Sequence, residues 1–181
     1  MKKKLTVLLL FLLTFSFSSC EKDDICDANT PTTPRLVFEF YDISNASVLK
    51  NVNNLKVIGE GMTEGIVFNE SATDDSKYLA NGNTISIPLK TDMNTTTYRF
   101  ILNSGNSNPT LIDTDEVTFN YTRRDVFVSR ACGFKVLFTF DPSNAIVHKA
   151  IPATKLKWMQ FISVEKSNID NENETHIKVF F

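Results

Sequence analysis

The side chains equipped for chemistry are few. His148 and His176 are the two imidazoles, and Cys20, Cys26 and Cys132 are the three thiols. Acids gather at Asp113, Asp115 and Glu116, and again at Asp170, Glu172 and Glu174. A nucleophilic hydrolase needs a base oriented by an acid beside an exposed nucleophile, and no Gly-x-Ser-x-Gly elbow presents one here. Each histidine reads as a single surface residue. No HExxH and no Cys/His cluster is present, so no catalytic zinc, other metal or cofactor is expected. The acid clusters carry the oxygen ligands that Ca²⁺ takes, but neither lies in the glycine-centred loop of an EF-hand, and both read as solvated turns. They would serve a glycosidase only with two carboxyls about 5–10 Å apart, which spacing in sequence does not fix. Gly59-Glu60-Gly61 lacks the Lys-Ser/Thr of a phosphate loop and reads as a strand-end turn.

Binding chemistry is the other class. Arg99, Arg123, Arg124 and Arg130 fall on or beside neighbouring strands, where they can form an anion patch or remain scattered surface charge. Trp158, Tyr41, Tyr78, Tyr98 and Tyr121 can form a sugar-stacking platform or be core. The formal charge of −2 offers no basic field, so nucleic acid is not an expected partner.

The thiols are sorted by their surroundings. Lys2, Lys3 and Lys4 precede an apolar run from Leu5 to Phe15, and Phe17-Ser18-Ser19 leads into Cys20. That is the layout of a signal peptide over residues 1–19, and the run falls short of the about 20 residues of a membrane span. A Cys directly after small residues resembles a bacterial lipobox, which implies that Cys20 is acylated and becomes the first mature residue. Acyl chains on one residue anchor a protein to a bilayer. Lys22, Asp23 and Asp24 resemble the export signal of Bacteroidota surface lipoproteins, which implies display on the outer leaflet of the outer membrane. A solvated charged tether is the alternative. With Cys20 assigned to lipid, Cys26 and Cys132 remain, and outside the inner membrane such a pair is expected to bridge. The bridge would close a loop of about 105 residues and stabilise by about 4–5 kcal/mol on the chain-entropy model.

These groups must be carried by strands. Leu36, Phe38 and Phe40 alternate with Val37, Glu39 and Tyr41; the same period of two recurs at Ile85–Leu89, Tyr98–Leu102, Val117–Thr122 and Phe134–Phe140. Weaker strands are expected at 55–58, 65–68, 125–130, 160–165 and 176–181. Ala150–Trp158 has room for one short helix. Asn81-Gly82-Asn83, 103–109, 141–144 and 167–174 are turn chemistry. Short strands with frequent turns predict an all-β fold, an antiparallel β-sandwich of immunoglobulin-like or transthyretin-like type, with a small soluble β-barrel as the alternative. The expected organisation is a signal peptide at 1–19, the lipidated Cys and its tether at 20–34, and one sandwich domain at 35–181. Losing residues 1–19 removes three Lys and no acid, so the formal charge moves from −2 to −5.

Several segments together carry a family resemblance: Asp23-Asp24-Ile25-Cys26, Thr32-Thr33-Pro34-Arg35-Leu36, Phe40-Tyr41-Asp42, 55–61, 127–133 and 172–177. The chain resembles a group of uncharacterised flavobacterial lipoproteins, domain of unknown function 6452. The resemblance implies a cell-envelope setting and no activity. The expectation is therefore a membrane-anchored, surface-exposed, non-catalytic module that binds an envelope protein or glycan. An accessory subunit of an outer-membrane complex and a carboxylate-dependent hydrolase are the alternatives.

Overall fold

The fold follows from where alternation places the large apolar side chains. The structure, a computed structural model, describes residues 25–181. Twelve strands follow one another: β1 (Leu36–Asp42), β2 (Asn45–Leu49), β3 (Val52–Gly59), β4 (Leu79–Gly82), β5 (Thr84–Ile87), β6 (Thr95–Leu102), β7 (Asp113–Ser129), β8 (Gly133–Phe140), β9 (Ile146–Ile151), β10 (Phe161–Val164), β11 (Asn168–Ile169) and β12 (Ile177–Phe180). Two short 3-10 turns, at Asp75–Tyr78 and Pro109–Leu111, interrupt them. Cys20, Lys22, Asp23 and Asp24 lie outside the described residues.

The described chain divides into two compact units. One holds 25–32 with Val126–Lys135, the other Thr33–Asp125 with Val136–Phe181. The larger unit contains the sandwich. Its five-stranded sheet runs β10-β12-β1-β2, with β5 also paired to β1. β12 lies parallel to β1, while β2 and β5 are antiparallel to it and share its other edge. The seven-stranded sheet runs β11-β8-β7-β6-β3-β4, with β9 also on β7. Neither sheet closes on itself, so the barrel alternative falls and the sandwich stands.

Phe38 and Phe40 of β1 point inward, and Phe100 of β6 and Phe119 of β7 answer them from the facing sheet. Ring centroids of Phe38 lie 5.7 Å from Phe100 and 5.8 Å from Phe119, in tilted and edge-on contact. Trp158 closes the same core, edge-on to Phe181 at 5.4 Å, with its indole N–H donating to the Phe100 carbonyl at 3.1 Å. Such tilted aromatic pairs add about 0.5–1.5 kcal/mol each beyond their burial.

Several local expectations change. The strands expected at Val117–Thr122 and 125–130 are one 17-residue strand, β7. The segment 65–68 forms no strand. Ala150–Trp158 forms no helix: β9 ends at Ile151, and a cis peptide to Pro152 follows. β2 was hidden, because Asn45–Leu49 alternates only through the small pair Ala46 and Val48 before Leu49 breaks the period, and all five residues are exposed.

Candidate functional site

Most of the side chains singled out for chemistry have structural work. Asp115 is not in a solvated turn. It sits within β7, fully buried. Its carboxylate accepts from His148 Nε2 at 2.8 Å, from the Met159 amide at 3.0 Å and from the Trp158 amide at 3.4 Å. His148, on β9, is therefore not a free surface histidine, and its side chain is only 12% exposed. This Asp–His pair holds the backbone of 158–159 against β7. A triad would need a nucleophile on the imidazole, and none is bonded to it among the described residues. The neighbours are paired too: Asp113 with Lys155 at 3.0 Å and Glu116 with Lys149 at 2.7 Å.

His176 also departs from the surface reading, being fully buried. Its Nδ1 accepts from the Val37 amide at 3.0 Å, and its own amide donates to the Val37 carbonyl at 3.1 Å. Nε2 is buried without a partner. Burial pushes the imidazole below its ordinary pKa, against the opposing pull of Glu174, Asp170 and Glu172. The acids of that loop are engaged locally: Glu172 accepts from the Arg35 amide at 3.0 Å, and Glu174 pairs with Lys166 at 3.0 Å. Among the described residues no cluster of three or more His, Cys, Asp or Glu is arranged to hold a metal ion.

The anion patch does not assemble from its four arginines. Arg123 is committed to the Asn94 side chain at 2.8 Å and to the Thr91 carbonyl. Arg123 and Arg124 line a hollow of about 420 Å³ with Thr122, Thr139, Asn168 and Asp170. Arg99 sits on β6, opposite Glu116 of β7 and Ile58 of β3. Of the two readings of the aromatics, core is the one that holds for four of the five. Trp158, Tyr78, Tyr98 and Tyr121 are core, and burial pushes the Tyr98 hydroxyl up to about 12.

Tyr41 alone of that set faces outward, and it belongs to a row the sequence did not announce. In β-sheets, directly opposed residues share a face. Phe161 of β10 opposes Phe180 of β12, Phe180 opposes Tyr41 of β1, and Tyr41 opposes Leu49 of β2. The four side chains form one stripe across the outer face of the five-stranded sheet, about 14 Å long from three strand spacings. The rings pack on one another, Tyr41 and Phe180 stacked at 5.4 Å and Phe161 tilted against Phe180 at 5.7 Å. Phe161 and Leu49, at the two ends, are 57% and 46% exposed. The next row on the same face is polar: Ser163, Lys178 and Glu39. Glu39 accepts from the Tyr41 hydroxyl at 2.7 Å, which lifts that hydroxyl to about 12, and Lys178 pairs with Glu165 at 3.1 Å. The missed signal was an aromatic on the polar side of the alternation in β1, β10 and β12.

In the smaller unit, Cys26 and Cys132 form the expected disulfide, with their Cα atoms 4.9 Å apart. Gly133, with φ of +71°, makes the turn after it, where a side chain would be strained.

Residues 54–181 match the model of a family of unknown function, DUF6452. The chain belongs to that family. No curated protein and no solved structure matches it. For this DUF6452 member, the match covers the strands from β4 onward and β3 from its third residue. Phe161 and Phe180 of the stripe lie within the match and Tyr41 and Leu49 before it, and the stripe is the feature to which a function of this chain can be tied.

Proposed function

We propose that this DUF6452 chain is an outer-membrane lipoprotein, displayed at the cell surface, whose sandwich is a non-catalytic binding module for envelope glycan. The observation that carries the reading is the Phe161–Phe180–Tyr41–Leu49 stripe beside its polar row. A sugar chain needs apolar surface for its C–H faces and hydrogen-bonding groups for its hydroxyls. The stripe supplies the first, and Ser163, Lys178 and Glu39 supply the second within one residue pair. The anchor is supported by the order of Lys2–Lys4, the apolar run and Cys20. Affinity electrophoresis of the sandwich against envelope polysaccharides tests the binding. Retardation that disappears in Phe161→Ser/Leu49→Ser supports the stripe, and equal mobility with and without every polysaccharide contradicts it.

A second reading has its own observation. β2 is an edge strand with Val48 and Leu49 exposed, and Ile43 precedes it. Unpaired edges accept a strand from another protein, which suits an accessory subunit of an outer-membrane complex. Crosslinking on intact outer membranes separates the two, because only the subunit reading expects a stable protein partner through β2.

A further inference from the structure

We infer that the β7–β8 tip is a second membrane contact, a foot that rests Phe127 and Phe134 in the headgroup region of the bilayer holding the lipid anchor. The inference rests on the reading of Cys20 as acylated. The tip has the wrong surface for water. Phe127 is 58% and Phe134 68% exposed, and their rings meet edge to face at 5.4 Å. Ile25 in the same unit is 83% exposed. Among the described residues of the smaller unit, these three are the exposed large apolar side chains. Among the described residues of that unit, Arg130 lies in the turn, Lys135 lies at the start of β8, and Asp27 is the acid; the tether before it carries Glu21, Lys22, Asp23 and Asp24.

Covalent geometry says what covers this surface. Cys132 is bonded to Cys26, and Cys26 is six residues from Cys20. Even fully extended, six residues reach about 20 Å. The tip therefore cannot leave the neighbourhood of the acylated residue, whatever the tether's conformation. Phe134 is two residues past Cys132. A tethered group meets its surface at high effective concentration, so weak partition suffices for lasting contact. Aromatic and aliphatic side chains enter the interface while cations stay among the headgroups. The tip is also held in shape: the Cys132 amide donates to Ser129 Oγ at 3.0 Å, and Gly133 closes the turn. The foot would fix how the anchored end meets the bilayer, where a lone tether would leave it free to turn.

The test uses the full lipidated protein purified from its host and reconstituted into phosphatidylethanolamine/phosphatidylglycerol vesicles, with and without brominated acyl chains. Trp158 is the only native indole and is buried, so the native protein sets the baseline. Phe134→Trp places a reporter at the tip. The inference expects its emission to shift blue on reconstitution and to lose intensity with brominated lipid, while the native emission stays unchanged. Phe127→Ser combined with Phe134→Trp should weaken the quenching. Both positions are exposed, so folding is preserved, checked by the melting curve. Protein that floats with the vesicles, carries acylated Cys20 by mass and shows no quenching overturns the foot and leaves the anchor standing. Unacylated Cys20 overturns both, and the mass distinguishes the two failures.

Discussion

Asp115 is the residue on which the architecture leans most. A buried carboxylate is tolerated when its lone pairs are filled, and this one accepts from two backbone amides and an imidazole. Asp115→Ala would leave those donors buried and unpaired. The expected loss is about 3–5 kcal/mol, read from urea unfolding; a loss under about 1 kcal/mol would show that the network carries no weight. His176 makes a pH prediction. Its folded pKa is depressed by burial, so the unfolded chain binds the proton more readily. Its contribution to stability is then full above about 6.5, the unfolded value, and declines as pH falls through that point. Protonation would also break the bond from the Val37 amide to Nδ1. Unfolding midpoints should drop between about pH 7.5 and about pH 5, and His176→Gln should show a smaller drop. Glu165 and Glu174, held below the usual carboxylate value by Ser163 and Lys178 and by Asn171 and Lys166, act only at lower pH. An equal drop in both proteins would remove His176 from the account.

At the scale of elements, the sheet tolerates change on its outer face and resists it within. Phe100→Ala, in the middle of the aromatic core, should cost about 3–5 kcal/mol. Phe161→Ser, at the exposed end of the stripe, should cost less than about 1 kcal/mol, yet remove the glycan retardation. A matching loss of stability in both variants would mean that the stripe is packing alone. The strands that alternate cleanly were legible in sequence: β1, β6 and β8, together with β5 and the first half of β7. Leu36, Phe38 and Phe40 announce their inward face by period alone. What hid was long-range. Asn45–Leu49 becomes β2 through pairing with β1, not through its own pattern. Asp115 reads as a loop acid because nothing local says that the Met159 amide, 44 positions later, will meet it. The stripe hid for the same reason, since β1 and β2 lie more than 100 positions before β10 and β12. The disulfide was legible because only two cysteines remained once Cys20 was set aside.

At the scale of the molecule, the chain couples an expected anchor to a domain that begins soon after it. The Cys26–Cys132 bond spans 106 residues, and losing it through paired Cys→Ser substitution should cost up to about 4–5 kcal/mol on the chain-entropy model. The proposed anchor, joined through the Cys26–Cys132 bridge to the sandwich, would hold the protein at a membrane with a sheet face turned to its surroundings. The most direct test of that account is the intact mass of the mature protein isolated from host membranes, measured without reductant. The account predicts a chain that begins at an acylated Cys20, with Cys26 and Cys132 joined. A chain carrying no lipid, or one still bearing residues 1–19, would contradict it.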